Sequence, residues 1–282
     1  MTIAEARRHA RARLAAAGID EAALEADLLL AACLGVERAF LPAHGEMALT
    51  PAQERRFHEW VERRLRREPL AYITGRRWFY GLEFVVTPAV LIPRPETELL
   101  VELALAWLKP RGMAATLADV GTGSGAIAVA LACHTPPTVR ILATDISAAA
   151  LAVAQTNAHR HGVADRIAWF QGDLLAPLPA PVDLILANLP YVGLAERNRL
   201  MPEVRDFEPP EALFAGEDGL SLIGRLLAQA PDRLRPGGGL FLEIGYGQGE
   251  AVLALARATF PAAHLALHPD LAGIPRVLQV ET

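Results

Sequence analysis

A glycine-rich turn constrains the fold of this 282-residue chain more than any other stretch. An apolar run ends at Asp119, glycines follow at Gly121, Gly123 and Gly125, and an apolar helical pattern begins at Ala126. This order predicts a strand, a tight turn and a helix, because glycine removes the Cβ where the chain turns sharply or lies against a ligand. The start of such a helix offers free N–H groups and a positive dipole end. The stretch therefore predicts a ligand-binding turn.

A carboxylate at the next strand end suggests what kind of ligand the turn holds. Asp145 follows the glycines at about the 20-residue distance at which an acidic side chain accepts hydrogen bonds from ribose hydroxyls. Gly121, Gly123 and Ala126 also satisfy the looser dinucleotide pattern, so the glycines alone leave NAD open. Asp119, just before the first glycine, is placed to receive the ammonium of an amino-acid moiety, which favours a different ribose-bearing cofactor.

Composition narrows the class of protein. The length suits one large or two modest domains. The apolar runs are too short to span a bilayer, and the first residues lack an apolar signal-peptide region, so we expect a cytoplasmic protein without membrane contact. Residues 96–282 carry 20 acidic against 13 basic side chains, which argues against a nucleic-acid-binding surface there.

The periodicity of the sequence divides the chain into three parts. Helical patterns, with capping boxes at Thr2 and Thr50, predict a helical domain over 1–75. Residues 76–95 predict a β-hairpin and a stiff linker that contains two prolines. Over 96–282, strand and helix patterns alternate, which predicts a mostly parallel sheet covered on both faces. Seven strands are predicted: the one before the glycines and those at 138–144, 166–171, 182–187, 238–244, 262–268 and 276–280.

Two further expectations concern the edges of these domains. The last two predicted strands are too close in sequence for a crossover helix, so they should form an antiparallel hairpin at the sheet edge. The arginines at the end of the third helix predict a solvated helix end, or alternatively a docking face for an acidic or RNA-associated partner. This cluster comprises Arg63, Arg64, Arg66 and Arg67.

The predicted chemistry lies at the end of a buried strand, in the motif Asn188-Leu189-Pro190-Tyr191. The Asn188 side-chain oxygen and the Leu189 backbone carbonyl can accept both N–H bonds of an –NH2 group. Such bonding aligns the nitrogen so that its lone pair faces an electrophile, and Tyr191 would supply a flat wall. A Ser–His pair, zinc-ligand spacing and a carboxylate dyad are all lacking, so no metal is expected.

Several segments together resemble the protein-(glutamine-N5) methyltransferases of peptide chain release factors, the PrmC/HemK family. The resemblance covers nearly the whole chain, and its most specific part is Ile92-Pro93-Arg94-Pro95-Glu96-Thr97-Glu98. The other matching segments are Arg67–Gly75, Phe79–Gly81, the glycine turn, Asp145, the Asn-x-Pro-Tyr motif, Glu208–Leu213, Asp218–Leu220 and Leu242–Gly245. The resemblance implies a helical N-terminal substrate-recognition domain, a hairpin linker and a Rossmann-like S-adenosylmethionine-dependent methyltransferase domain.

The resemblance also implies roles for individual residues. The turn from Gly121 through Thr122, Gly123 and Ser124 to Gly125 would hold the methionine part of S-adenosylmethionine, and Asp145 its ribose. Asp173 and Leu174 fall where the family contacts the adenine, with Leu174 in place of a frequent aromatic residue. Asn188 to Tyr191 would hold the substrate glutamine, with Leu189 in place of the family's usual proline. Arg94 and Thr97 of the signature segment are further candidate residues of the site.

The implied reaction transfers a methyl group to the side-chain amide nitrogen of the glutamine in the Gly-Gly-Gln motif of bacterial release factors. Two alternatives remain open from the residues. The same motif can hold the exocyclic amine of adenine in DNA or RNA, although base flipping normally comes with a basic track. The glycine turn could instead belong to an NAD-binding oxidoreductase or to a binding module without catalysis. Whether the long segment 192–217 closes over the site is also open.

Overall fold

The structure is a computed structural model that describes all residues from 1 to 282. The chain divides into two compact units, each made of two segments. The first comprises Met1–Arg76 and Met201–Phe207, and the second comprises Arg77–Leu200 and Glu208–Thr282. No helix is both long enough and apolar enough to cross a membrane.

The first unit is helical. Thr2 and Thr50 cap its two longest helices through capping boxes, as their sequence spacing predicts. A buried cluster that includes Leu14, Leu29 and Phe57 forms its core. Its helices are α1 (Ile3–Ala16), α2 (Ala22–Leu34), α3 (Phe40–Ala43), α4 (Pro51–Leu65) and α5 (Leu70–Thr74), and the returning segment adds a short helix, Pro202–Arg205.

The arginines at the end of α4 are not simply a solvated helix end. Arg64 is 5% exposed and donates hydrogen bonds to Glu25 and, at 2.9 Å, to Glu203 of the returning segment. Arg67 donates to the same glutamate at 3.1 Å, and Arg63 pairs with Glu68. The expected solvated helix end is therefore wrong for Arg64, which is buried, while Arg63 and Arg67 are partly exposed and pair with carboxylates of the same unit.

The second unit begins with the predicted hairpin and continues into a seven-stranded sheet. Strands β1 (Arg76–Phe79) and β2 (Leu82–Val85) pair with each other. The sheet strands are β3 (Ala115–Val120), β4 (Val139–Asp145), β5 (Ile167–Gln171), β6 (Val182–Ala187), β7 (Leu234–Glu243), β8 (His264–Pro269) and β9 (Pro275–Glu281). The helices of this unit are α6 (Glu98–Leu108), α7 (Ala126–His134), α8 (Ala148–Arg160), α10 (Ser221–Gln229) and α11 (Gly249–Thr259). The short helix Pro202–Arg205, which belongs to the first unit, is α9 in chain order.

The strand order is β5-β4-β3-β6-β7-β9-β8. The first five strands are parallel, and β9 and β8 form the predicted antiparallel hairpin at the edge. Alternate residues of β3 enter different cores, because Leu117 belongs to one buried cluster while Ala118 and Val120 belong to the other. The sheet therefore has a core on each face, and the carboxyl ends of its five parallel strands meet at one edge.

Asn157, on α8, connects the hairpin to the glycine turn from a fully buried position. Its side-chain oxygen accepts a hydrogen bond from the Val85 N–H at 2.7 Å, and its amide donates to the carbonyl oxygens of Val85 and Ser124, each at 2.9 Å. The Asn157 side chain is fully buried, where an unpaired polar group would be costly. The hairpin therefore helps to position the turn.

Candidate active site

A cavity of about 340 Å³ lies at the carboxyl ends of β3, β4 and β6, where the strand order reverses direction. Its volume falls in the range typical of small-molecule sites. Open parallel sheets bind ligands at this edge. The predicted site residues that line it are Arg94, Thr97, Gly121, Thr122, Gly123, Ser124, Asp145, Asp173, Leu174, Asn188, Leu189 and Pro190.

Gly121 and Gly125 have different structural roles in the turn. A Cβ on Gly121 would lie 3.0 Å from Cδ2 of Leu189, and the φ of Gly121 is +72°. A Cβ on Gly125 would instead lie 3.0 Å from Cβ of Ala154 on α8, so Gly125 permits helix packing and does not line the cavity. The first position thus brings the backbone close to the motif at the end of β6, and the third brings two helices together.

Asp145 holds the turn in its present shape. One carboxylate oxygen accepts a hydrogen bond from the Gly123 N–H at 2.9 Å, and the other accepts one from the Ser147 N–H at 2.9 Å. Burial raises the pKa of Asp145, the backbone N–H groups oppose this rise, and the nearby Glu211 adds to it. The carboxylate is thus tied to backbone donors on one side while it lines the cavity on the other.

Asp119 lies behind the turn and does not line the cavity. Its Oδ2 atom accepts hydrogen bonds from the Thr122 hydroxyl at 2.6 Å and from the Ala128 N–H at 3.1 Å. Its Oδ1 atom is buried without a hydrogen-bond partner. Burial raises the pKa of Asp119 to about 6 against these two donors. In this structure the side chain thus ties the turn to α7, which differs from the expected direct contact with an ammonium group.

The loop after β5 carries the two residues expected near an adenine. Asp173 forms an ion pair with Arg225, and both side chains line the cavity. Leu174 has a φ of +49°, which is uncommon for a residue with a branched side chain, and its carbonyl oxygen accepts a hydrogen bond from the buried Thr144 hydroxyl at 2.9 Å. Backbone held in this region is often associated with ligand sites.

The motif at the end of β6 divides its side chains between the cavity and the protein interior. Asn188 lines the cavity and donates its side-chain N–H to the Thr97 hydroxyl at 2.9 Å. Leu189 is 3% exposed. Tyr191 does not line the cavity: its hydroxyl donates to Glu243 at 3.3 Å, and the expectation of a flat aromatic wall does not match this position. Burial and the facing Glu243 raise the pKa of Tyr191.

The signature segment is fixed by an acidic side chain from the long loop. Glu208, 3% exposed, accepts a hydrogen bond from the Ile92 N–H at 3.1 Å and pairs with Arg94. Burial raises the pKa of Glu208, and Arg94 together with the Ile92 N–H opposes that rise. Glu208 therefore joins the signature segment to the segment that follows residue 207.

Some lining residues were not expected from the sequence. Ile146 lines the cavity and is 65% exposed. Because it directly follows Asp145, the prediction of Asp145 as a site residue could have been extended to it. Phe214 and Leu222 come from segments without a cofactor motif, and only the fold brings them to the cavity. The remaining lining residues outside the predicted set are Ala89, Val90, Leu91, Pro93, Ala126, Ile127, Thr144, Ser147, Ala150, Gly172, Pro209, Glu211, Ala212 and Arg225.

Comparisons with known proteins identify the class of protein to which this fold belongs. Residues 5–75 match the model of the PrmC N-terminal domain, and residues 96–203 match the methyltransferase small domain. A solved 16S rRNA N2 G1207 methyltransferase from Thermus thermophilus, 21% identical, has a TM-score of 0.52 over 73% of this chain and 49% of its own, which shows the fold. The fold and the site therefore define an S-adenosylmethionine-dependent methyltransferase.

Curated relatives narrow this class to a family. A release factor glutamine methyltransferase from Moorella thermoacetica is 47% identical over 98% of this chain and 97% of its own. Another from Geobacter sulfurreducens is 43% identical over 95% of this chain and 92% of its own. The chain belongs to the family of release factor glutamine methyltransferases. This membership favours the glutamine acceptor over the adenine and NAD alternatives.

The cavity suits the cofactor that this class uses. Gly121, Thr122 and Gly123 line the cavity, so the backbone of the turn lies against the space that a ligand would occupy. Asp145 presents a carboxylate next to the turn, as ribose recognition requires. The residues present therefore fit S-adenosylmethionine.

Proposed function

We propose that this protein methylates the side-chain amide nitrogen of the glutamine in the Gly-Gly-Gln motif of bacterial peptide chain release factors, with Asn188 and Leu189 as the groups that hold that amide. The observation that carries this proposal is the position of Asn188, which lines the cavity beside the glycine turn while its own amide N–H is bound to Thr97. The side-chain oxygen of Asn188 therefore remains available to accept a hydrogen bond.

The acceptor chemistry follows from this arrangement. A primary amide nitrogen is a poor nucleophile, since its lone pair is delocalised into the carbonyl group. The Asn188 oxygen and the Leu189 backbone carbonyl accept its two N–H bonds and set the direction of the nitrogen. Bound S-adenosylmethionine supplies an electrophilic methyl group on a sulfonium. The amide nitrogen displaces S-adenosylhomocysteine from the methyl group and gives up one N–H proton to water. Because sulfonium is a good leaving group, positioning by these residues provides most of the acceleration.

The cofactor groups are assigned to the residues that line the same cavity. The turn from Gly121 to Gly125 holds the methionine part, with Asp119 bracing the turn from behind. Asp145 holds the ribose, and Asp173 and Leu174 flank the adenine, where Arg225 takes part through its ion pair. Arg94 acts by fixing the signature segment to Glu208, and no metal ion takes part in this scheme.

The helical unit is proposed to recognise the release factor, with residues 1–75 as the recognition domain and 76–95 as its linker to the methyltransferase domain at 96–282. Release factors act on ribosomes, so the proposed place of action is the cytoplasm. Direct contacts with nucleic acid or with a membrane have no role in this scheme.

A labelling experiment tests the proposed acceptor. The protein is incubated with S-adenosylmethionine and a release factor, and peptide mass spectrometry locates the added methyl group. We expect it on the glutamine of Gly-Gly-Gln. A factor with alanine at that position should stay unlabelled, as should DNA and RNA. Methylation of adenine, or of another residue of the factor, would overturn the proposal.

A further inference from the structure

The side chain of Gln248 joins the segments that follow two neighbouring strands. Gln248 occupies the cap position at the start of α11, yet its side chain makes no cap hydrogen bond. Its Oε1 atom instead accepts a hydrogen bond from the Gly245 N–H, after β7, at 2.8 Å. Its Nε2 atom donates to the carbonyl oxygen of Tyr191, after β6, at 2.9 Å and to that of Asp218 at 3.4 Å. Gln248 therefore ties the end of the acceptor motif, Asn188 to Tyr191, to the turn after β7.

The partners of this amide determine its orientation. The Gly245 N–H can only donate a hydrogen bond, and the Tyr191 and Asp218 carbonyl oxygens can only accept one. If the amide were turned end for end, its nitrogen would face an N–H and its oxygen would face two carbonyl oxygens. The position therefore requires a side chain with one acceptor and one donor at its tip.

The peptide unit between Tyr191 and Val192 is held at both of its polar groups. Its carbonyl oxygen accepts the hydrogen bond from Gln248, and its N–H donates to the Leu213 carbonyl oxygen at 2.9 Å. A Cβ on Gly219 would lie 2.0 Å from the Tyr191 carbonyl oxygen, so a further stretch of backbone lies directly against it. This peptide plane is therefore fixed on several sides.

A fixed peptide plane after Tyr191 restricts the direction of the Leu189 carbonyl. Only Pro190 lies between the two residues, and its ring fixes one of its two backbone dihedral angles. Leu189 and Pro190 line the cavity, whereas Tyr191 and Gln248 do not. The Leu189 carbonyl is therefore held through β6 on one side and through the Tyr191 carbonyl on the other.

We propose that Gln248 is a positioning residue for methyl transfer, which holds the Tyr191 carbonyl and thereby keeps the Leu189 carbonyl directed at the substrate amide. This inference rests on the function proposed above for Asn188 and Leu189. Gln248 does not touch the reacting atoms or line the cavity, so its contribution is to the rate of methyl transfer and not to the affinity for S-adenosylmethionine.

Gln248→Met removes both hydrogen-bonding groups and keeps an unbranched side chain of similar length. We expect kcat with release factor to fall by about tenfold, the factor that corresponds to one lost hydrogen bond of ordinary strength. The Kd of S-adenosylmethionine, measured by calorimetry, should change by less than about threefold. Gln279→Met is the matched control, since Gln279 is hydrogen-bonded to His268 in the edge hairpin and does not line the cavity. Equal losses of kcat in the two variants would overturn the proposal.

Gln248→Glu provides a readout that a purely structural role would not change. The ionised carboxylate still accepts the Gly245 N–H, but its second oxygen faces the Tyr191 carbonyl oxygen and repels it. Protonation turns that oxygen into a donor and restores the native pattern, and the facing carbonyl favours the protonated form. The kcat of this variant relative to the native protein should therefore recover as the pH falls from about 8 to about 5.

The matched comparison is the same ratio for Gln248→Met, which should stay constant with pH because methionine does not titrate. The other ionisable side chains, among them Glu243 and Asp218, are the same in all three proteins, so the ratios isolate the introduced carboxyl. A ratio for Gln248→Glu that does not change with pH would overturn the proposal.

Asn188→Ala separates this proposal from the proposed function. If Asn188→Ala keeps normal turnover, the proposed function fails. If Asn188→Ala loses turnover while Gln248→Met and Gln248→Glu keep the native kcat, only the positioning role of Gln248 fails.

Discussion

Gly121 and Leu189 lie so close together that a Cβ on the glycine would come within 3.0 Å of Cδ2 of the leucine. The first residue belongs to the turn after β3 and the second to the motif after β6, two strands that pair directly. The cofactor side and the acceptor side of the cavity are therefore in contact through a glycine. The Leu189 side chain, packed against the Gly121 backbone, therefore sets the distance between the glycine turn and the acceptor motif.

Gly121→Ala should weaken S-adenosylmethionine binding by about tenfold or more, because the new Cβ adds strain at a φ of +72° and displaces Leu189. Isothermal titration calorimetry measures the change. Gly162→Ala is the matched control, since Gly162 has a φ of +69° with nothing within 4 Å of an added Cβ. It should lose a similar amount of stability and keep its affinity. Equal affinities for the two variants would contradict the assignment of the turn.

Asn188→Ala should lower kcat by about a hundredfold or more, because the amide nitrogen loses one of the two acceptors that direct it. The affinity for S-adenosylmethionine should change little. Single-turnover methylation of a release factor measures the first quantity, and calorimetry measures the second. Near-normal turnover in this variant would refute the role of Asn188.

Asp145→Asn tests the carboxylate beside the turn. The amide keeps one oxygen but loses the second acceptor, so either the Gly123 N–H or the Ser147 N–H is left without its partner. We expect S-adenosylmethionine to bind about tenfold more weakly, while the unfolding midpoint shifts only slightly. An unchanged titration would count against ribose recognition by Asp145.

Burial raises the pKa of Glu243 to about 7, while the Thr97 and Tyr191 side chains and Arg276 oppose this rise. Ionisation of Glu243 therefore lowers the free energy of unfolding. Because the folded pKa of Glu243 lies above the ordinary value of 4.5, its contribution to stability is present below pH 4.5 and is lost as the pH rises through about 7. Glu243→Gln should therefore gain stability relative to the native protein at alkaline pH, by up to about 3 kcal/mol. Urea denaturation at acidic and alkaline pH measures this difference.

Glu203→Gln should destabilise the helical unit by about 2 kcal/mol, because it leaves the buried Arg64 without one of its two carboxylate partners and removes the charge facing Arg67. Thermal unfolding followed by circular dichroism measures the change. Glu62→Gln is the control, since its pair with Arg13 is exposed and should contribute little. Equal shifts of the melting temperature in both variants would show that burial does not strengthen the ion pair between Arg64 and Glu203.

The pH dependence of that pair provides a second check. Burial raises the pKa of Glu203, but its own backbone N–H and the arginines outweigh that effect, so the folded pKa lies below the ordinary value. The contribution of Glu203 is therefore present above the unfolded pKa and is lost as the pH falls through the folded one. The difference between the native protein and Glu203→Gln should shrink in acid.

Sequence patterns were sufficient where the determinants are local. The strand, turn and helix around Gly121, the carboxylate at Asp145 and the position of Asn188 all follow from short-range order, and the structure places them at one cavity. They do not reveal that Arg64 is buried, since its partner Glu203 lies 139 residues away. Sequence patterns also do not reveal the hydrogen bond between Thr97 and Asn188. It depends on the pairing of β6, which Asn188 follows, with β3 in the sheet.

The path of the chain after the acceptor motif limits how this protein could be divided or recombined. Residues 201–207 belong to the helical unit, where Glu203 pairs with Arg64. The chain returns to the sheet unit at Glu208, which pairs with Arg94. A gene fragment that ends at residue 76 would encode the helices without Glu203, one of the two carboxylates that pair with the buried Arg64. The helical unit is therefore not encoded by one continuous stretch of sequence, and a cut at residue 76 would not isolate it intact.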